Sequence, residues 1–249
     1  MSYIKQGDCL ELMKEIEAKS IDLILCDLPY GTTSNKWDVI IPFDKLWEQY
    51  NRIVKDNAVV ALFGSQPFTS KIVMSNLDNF RHEWIWIKNK GSNFANTVRE
   101  PFKEHESILI FSKGKWTYNK QMQERTGGGL NRVQYSFNYN SKSSNYREFE
   151  GRENQTQGNL RVPSSWQKFN TEHGLHPTQK PVALLEYLIK TYSNENDIVL
   201  DNCMGSGSTI IACINTSRNY IGFEKDENYF KIAEDRINQR LTEEENKLF

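Results

Sequence analysis

The sequence predicts an α/β fold built on a doubly wound, mostly parallel sheet. Three observations carry that expectation. Short apolar runs alternate with stretches of helical period. Several runs end abruptly in loops containing Pro or Gly. One run passes through Gly205-Ser206-Gly207 straight into a further apolar stretch, the pattern of a strand, a tight turn and a helix.

The elements follow in order. Tyr3–Gln6 reads as a strand closed by Gly7-Asp8, and residues 9–16 as a short helix that Asp8 can cap. Ile21–Cys26 is an uninterrupted apolar run, as expected of a strand buried on both faces. It stops at Asp27-Leu28-Pro29-Tyr30-Gly31, where Pro and Gly impose a loop. Residues 43–54 have helical period, residues 58–63 form another buried strand, and Phe68–Ser75 forms a helix. Strands follow at 83–88 and 107–111. The α/β texture resumes with a helix at Val182–Tyr192, with a Pro at its start. A strand at 198–200 enters the glycine loop, and a helix leaves it at 208–214. A strand at 220–223 ends at Glu224, and a long helix spans 226–241.

The segment between these two regions is different. From Gly114 to Asn170 it is rich in Asn, Gln, Ser, Gly, Tyr and Arg, with Gly127-Gly128-Gly129 as a joint. Aromatic residues (Tyr135, Phe137, Tyr139, Tyr146, Phe149 and Trp166) are interleaved with Arg and Lys. Residues 112–170 hold ten Lys or Arg against four Glu and no Asp, although the whole chain of 249 residues has a net charge of -1. A basic, aromatic insertion on an acidic body suits phosphate contacts and base stacking. The chain therefore divides into 1–111, the insertion 112–170, and 171–249.

Composition excludes other classes. With 38% hydrophobic and 25% charged residues the chain has ordinary globular composition. It holds no apolar run near the roughly 20 residues a membrane helix needs. It opens on a strand-like piece without a basic-then-apolar leader, so a cytoplasmic protein is expected. Cys9, Cys26, Cys203 and Cys213 form no C-x-x-C pair and have no zinc spacing, so reduced thiols and no metal site are expected.

Two motifs carry chemistry. An amine conjugated to an aromatic ring is a poor nucleophile because its lone pair is delocalised. A carboxylate and a backbone carbonyl accepting its two N–H groups localise that pair. Asp27 offers the carboxylate and Leu28 the carbonyl; Pro29 stiffens the loop and Tyr30 gives a flat face for stacking. In the second motif, Gly205 and Gly207 allow a sharp turn close to a ligand. Glu224, at the end of the next strand, can accept the ribose hydroxyls of an adenosine. Ile210 stands where the third glycine of a dinucleotide fingerprint belongs. Taken singly, each motif can also be read as an ordinary strand-end turn.

Together with His176-Pro177-Thr178-Gln179-Lys180-Pro181, the two motifs resemble the beta class of N6-adenine and N4-cytosine DNA methyltransferases. In that class the catalytic tetrapeptide comes first, then a target-recognition region, then the cofactor loop, and that order holds here. The resemblance implies a circularly permuted Rossmann-like methyltransferase sheet. Its catalytic half lies in 1–111, a target-recognition insertion in 112–170, and its cofactor-binding half in 171–249, with the first strand joining the cofactor half. It implies S-adenosylmethionine as cofactor, double-stranded DNA as partner, a restriction-modification setting and a homodimer. Asp27, Leu28, Pro29 and Tyr30 match the catalytic D-P-P-Y pattern, with Leu28 in place of the first proline. Asp201, Gly205, Ser206 and Gly207 match the cofactor loop, where Asn202 and Cys203 replace the usual Pro and Phe. Glu224 matches the ribose-binding acid and Asp8 the residue that binds the adenine amine, although Asp8 serves equally as a helix cap. Thr178 and Lys180 match the segment that holds the cofactor's carboxylate. His176 is structural in this reading, and Phe63-Gly64-Ser65-Gln66-Pro67-Phe68 resembles the loop shaping the target-base pocket.

The expected activity is methyl transfer to adenine N6 of a flipped base. Its rivals are N4-cytosine methylation, a non-catalytic DNA- and cofactor-binding partner, and methylation of a protein glutamine. Asp27 tilts the first choice, because cytosine enzymes of the class more often carry serine there. The intact tetrapeptide and the motif order disfavour the other two.

Overall fold

A computed structural model describes residues 2–32, 38–125, 159–172, 174 and 179–246. The chain forms two compact units, Met1–Asn119 with Ser165–Phe249, and Lys120–Ser164. The second unit contains a two-stranded antiparallel ribbon, β6 (Gln123–Glu124) and β7 (Leu160–Arg161), extended by the Arg125 N–H donating to Asn159 O at 2.8 Å. Its bounds are narrower than the 112–170 expected for the insertion.

The first unit has one large sheet. In chain order it contains β1 (Tyr3–Gln6), α1 (Cys9–Met13), β2 (Ile21–Cys26), α2 (Phe43–Ile53), β3 (Val54–Gly64) and α3 (Phe68–Ser75). It continues with β4 (Phe80–Ile87), β5 (His105–Phe111), β8 (Trp166–Lys168), α4 (Val182–Tyr192), β9 (Ile198–Asp201), α5 (Ser208–Asn215), β10 (Asn219–Glu224) and α6 (Glu227–Asn246). The strand order is β1-β10-β9-β2-β3-β5-β4-β8. All neighbours are parallel except β5, which runs against both β3 and β4. The amino-terminal strand β1 adds beside β10, so the sheet closes around a permuted chain order. This is the doubly wound, Rossmann-like sheet the sequence predicts.

The apolar runs explain the layers. Along β2, Ile24 and Cys26 join the core beneath α1, α2 and α3, while Leu23 and Leu25 join the core beneath α4, α5 and α6. Along β3, Val60 and Leu62 take the first face, and Val59, Ala61 and Phe63 the second. Side chains alternate across a strand, so a strand covered by helices on both sides must be apolar at every position.

Several elements differ from expectation, three of them instructively. β3 begins at Val54, through the polar Lys55-Asp56-Asn57, because Val54 pairs with Ile21 before an irregularity resets the register to Leu23 and Val59. Helix α1 stops at Met13. Trp166–Lys168, assigned by sequence to the insertion, pairs with β4 through Ile85 and Trp86, and Ile85 N donates to Ser165 O at 2.8 Å. A three-residue polar segment has no legible period; the free edge of β4 makes it a strand.

Gly222 lies inside β10, where an added Cβ would sit 2.6 Å from Met204 Sδ and 3.0 Å from Ile210 Cδ1. Gly222→Ala is expected to destabilise the fold by about 1–3 kcal/mol through overpacking. Urea unfolding checks this, and an unchanged midpoint would show that the strand shifts to admit the methyl.

Candidate active site

Parallel strands deliver their carboxyl ends to one edge of a sheet, and this edge collects the candidate residues. Asp8 follows β1, Glu224 ends β10, Asp201 ends β9, and Asp27 follows β2. Lys88 follows β4. Because β5 is reversed, its first residues, His105 and Glu106, reach the same edge. Strand order reverses direction between β9 and β2, the switch point at which open α/β sheets bind ligands.

The tetrapeptide loop is anchored from below. The Leu28 side chain is buried in the core, which fixes the backbone that carries its carbonyl. The Tyr30 ring stacks on Phe68, with centroids 4.8 Å apart, and its hydroxyl donates to Asp27 Oδ1 at 2.7 Å. Just beyond, the Asp38 carboxylate accepts the Gly31 and Thr32 N–H groups, each at 2.8 Å. Gly31 has φ +67°, and a Cβ there would lie 2.9 Å from Ile40 Cγ1.

Behind Asp27 runs a row of alternating charges. Lys180 Nζ donates to Asp27 Oδ2 and lies 3.4 Å from Glu106 Oε2, and Glu106 Oε1 accepts from Lys88 Nζ. The two lysine side chains are each only 8% exposed and Glu106 14%. Lys180 also lies over the Phe63 ring, 5.1 Å from its centroid. Buried ions persist when each finds an opposite partner, and these four balance to zero net charge. Burial raises the Asp27 carboxyl above its ordinary value; Lys180 pulls it down and Glu106 pushes it up. For Glu106 burial is outweighed by Lys180 and Lys88, so its carboxyl lies below the usual range. Lys180 is held above its ordinary value, because Asp27 and Glu106 outweigh burial. Burial, then Asp27, raise the Tyr30 phenol well above its ordinary value, so it stays a donor.

The glycine loop has the backbone expected of it. Gly205 has φ +51° and Gly207 φ +77°, both left-handed, and a Cβ on Gly207 would meet Ala233 Cβ at 3.2 Å. Glu224 holds this loop as well as its own turn: Oε2 accepts Gly205 N at 2.9 Å and Oε1 accepts Asp226 N at 2.8 Å. Asp201 is 3% exposed and its Oδ1 accepts Cys203 N at 3.1 Å. The Ser206 carbonyl accepts from Arg236 at 3.1 Å. The two departures from the family pattern are accommodated locally. Asn202 Oδ1 accepts the Tyr50 hydroxyl at 2.5 Å, and Cys203 packs among the apolar residues under α1 and α2. Asp8 caps α1, accepting Leu10 N at 3.0 Å, and pairs with Lys225 at 3.1 Å.

Lys180, expected at the cofactor's carboxylate, has its ammonium on Asp27 and beside Glu106. Asp201 and Ser206, expected to touch the cofactor, are buried, with the Asp201 carboxylate on Cys203 N and the Ser206 carbonyl on Arg236. Glu224 and Asp8 remain partly exposed at the ends of adjacent strands. Of the turn after β3, Phe68 stacks on Tyr30 of the tetrapeptide, Phe63 lies beside the Lys180 ammonium, and Ser65 Oγ accepts from Lys103. Thr178, His176, Gly127-Gly128-Gly129, Tyr135, Phe137, Tyr139, Tyr146 and Phe149 lie outside the described residues. Lys88, Glu106 and Asp38 escaped the sequence reading. A charge set directly against an apolar run, as in residues 84–88 and 106–111, was the available signal for the first two. The four cysteines are free, and among the described residues no His, Cys, Asp and Glu cluster could hold a metal ion. No helix among them is long and apolar enough to cross a membrane.

The chain is similar to known proteins along most of its length. A family model for N6 and N4 methyltransferases, described as DNA methylase, matches residues 21–235. The type II methyltransferase M.HpaI of Haemophilus parainfluenzae is 29% identical over 94% of this chain and 74% of its own. The crystal structure of the M1.HpyAVI–SAM complex is 28% identical, with a TM-score of 0.63, over 95% of this chain and 100% of that one. The cytosine-N4-specific PvuII DNA methyltransferase shares the fold, with a TM-score of 0.65 at 15% identity over 96% of this chain and 90% of that one.

Burial raises the Asp201 carboxyl to about 6 against the restraining hydrogen bonds of Thr209 and Cys203. A carboxyl raised on folding contributes stability below its unfolded value, and that contribution is lost as pH rises through the folded value. Asp201→Asn should therefore gain on the wild type between pH 4 and 7, by on the order of 3 kcal/mol. Urea unfolding across that range measures it; a pH-independent difference would show that Asp201 is not strained by ionisation.

Proposed function

We propose that this chain, which belongs to the DNA methylase family of N6 and N4 methyltransferases, methylates adenine N6 of a base flipped out of double-stranded DNA. S-adenosylmethionine is the methyl donor in this reading. The observation that carries it is the Asp27 carboxylate, held at the carboxyl end of β2 between the Tyr30 hydroxyl and the Lys180 ammonium.

The cradle for the donor lies across β9, β10 and β1. Gly205 and Gly207 turn the backbone there in conformations that side chains rarely adopt, and Glu224 fixes Gly205 while keeping further lone pairs for ribose hydroxyls. Asp8 stands one strand over for the adenine amine, and Asp201 with Ser206 keeps the loop in shape. When bound, S-adenosylmethionine supplies a methyl group on a sulfonium, activated for displacement.

The protein's part is positioning and electrostatics. Asp27 and the Leu28 carbonyl accept the two N–H groups of the target amine and draw its lone pair out of conjugation. Tyr30, backed on one face by Phe68, offers the other to the base. Lys180 favours the ionised, accepting form of Asp27 against burial. Lys180 is assigned to this role, in place of a direct contact with the donor's carboxylate. Target recognition is assigned to Lys120–Ser164, whose surrounding sequence is basic and aromatic. A restriction-modification setting, a cytoplasmic location and a homodimer belong to the same proposal and rest on the resemblance. The N4-cytosine reading is the alternative; the aspartate at position 27 favours adenine.

Labelled S-adenosylmethionine, genomic DNA and nucleoside chromatography test the reading together. Label in N6-methyladenine is expected; label in N4-methylcytosine would move the target, and unlabelled DNA would overturn the reading. Asp27→Ala should abolish incorporation while cofactor affinity by calorimetry stays within about three-fold. Lys180→Gln should move the acid limb of kcat to higher pH and Glu106→Gln should move it lower, since one removes a positive and the other a negative charge near Asp27. Shifts in the same direction would exclude the electrostatic role.

A further inference from the structure

The segment joining β4 to β5, residues 88–104, rises from the catalytic centre. Its two feet adjoin Lys88 and Glu106, the pair at the far end of the charge row from Asp27. It is tied at the neck. Lys88 N donates to Glu104 O at 2.8 Å, Ser92 N to Lys103 O at 3.1 Å, and Lys103 N to Asn93 Oδ1 at 2.7 Å. Asn93 Nδ2 closes on Pro101 O at 3.0 Å, and the Phe102 ring packs so close to Gly91 that a Cβ there would lie 2.6 Å from its Cζ. The Lys103 ammonium on Ser65 Oγ ties the protrusion to the turn after β3, a few residues before the Phe68 that stacks on Tyr30.

The tip is a set of tight turns. Thr97 N donates to Phe94 O at 3.2 Å, Arg99 N to Asn96 O at 2.9 Å, and Glu100 N to Asn96 O at 3.1 Å. Phe94 opens these turns and Val98 lies within them, and their side chains are 82% and 89% exposed. Polar side chains are the ordinary choice for a loop tip. Two apolar side chains on a braced protrusion next to an active site point to a partner that covers them. Lys90 and Arg99 on the same protrusion favour an anionic partner, although Glu100 and Glu104 offset part of that charge.

We propose that the protrusion is a wedge into duplex DNA, with Phe94 and Val98 filling the space in the stack that the target base vacates, and Lys90 and Arg99 on the flanking phosphates. The chemistry requires such a device. A base amine cannot reach Asp27 from inside a duplex, and an emptied stack closes again unless something apolar takes the place of the base. The wedge stands at the edge of the sheet where the flipped base must arrive. The proposal rests on the DNA-methylating reading above.

The test compares wild type with the Phe94→Ala/Val98→Ala double variant, whose substitutions lie on the surface and should leave the urea unfolding midpoint unchanged. The substrates are two synthetic duplexes carrying the methylation site mapped on wild-type product DNA. One is fully paired; the other has an abasic residue opposite the target base. On the paired duplex the variant should lose about ten-fold or more in kcat/KM, because base extrusion must now proceed without the wedge. On the abasic-partner duplex, where the base is already unpaired, it should stay within about three-fold of wild type. Cofactor affinity should not change. Equal losses on both duplexes, or no loss on the paired one, overturn the wedge. A change in oligomeric state of the variant overturns it in favour of a contact between copies of the chain. If wild type methylates no DNA at all, the functional reading itself fails and the wedge falls with it.

Discussion

The buried row Lys88–Glu106–Lys180–Asp27 is the constraint on which the rest of the site depends. Lys88, Lys180 and Glu106 leave water almost entirely, Asp27 stays partly exposed at the end of the row, and a buried charge there is tolerable only beside its opposite neighbour. Each comes from a different stretch of chain: the end of β4, the start of β5, the approach to α4 and the end of β2. The row therefore locks both flanks of the tetrapeptide to the sheet, and it sets how firmly Asp27 holds a proton. A carboxylate that must accept hydrogen bonds from an amine has to remain ionised in a poorly solvated place, and one adjacent cation provides that. Glu106 then holds the cation, and Lys88 holds Glu106.

Sheet direction makes the row possible. Seven strands end at the catalytic edge and β5 begins there, so the residues just inside β5 face those just beyond β4 and β2. A parallel strand in the place of β5 would have carried Glu106 to the opposite edge. The same reversal returns the chain through residues 88–104, so the protrusion with Phe94 and Val98 is rooted beside the charge row that reaches Asp27.

The cofactor side is organised differently. Its carboxylates serve backbone geometry at least as much as ligand contact: Glu224 and Asp201 tie down the N–H groups of the loop carrying Gly205 and Gly207. That division allows Asn202 and Cys203 to stand where the family has Pro and Phe. Asn202 is satisfied by Tyr50 and Cys203 by an apolar neighbourhood, and the loop keeps its turn. Leu28 shows the same tolerance in the tetrapeptide, since its buried side chain anchors the backbone carbonyl beside Asp27.

By itself the sequence determined the alternation of strands and helices, the strand ends on which chemistry falls, and the positions of the tetrapeptide and glycine loop. These are local properties. A strand buried on both faces must be apolar throughout, a Gly-x-Gly turn must follow it, and Asp27-Leu28-Pro29-Tyr30 can be read without knowing its neighbours. Only the tertiary structure decided what Lys180 touches, because Asp27 lies far from it in sequence and across the switch point in space. Only the tertiary structure could enlist Lys88 and Glu106, whose charges look like ordinary strand boundaries until a reversed β5 brings them together. Trp166–Lys168 became a strand for a similar reason: a ladder needs a partner edge, and β4 supplied one that composition could not reveal.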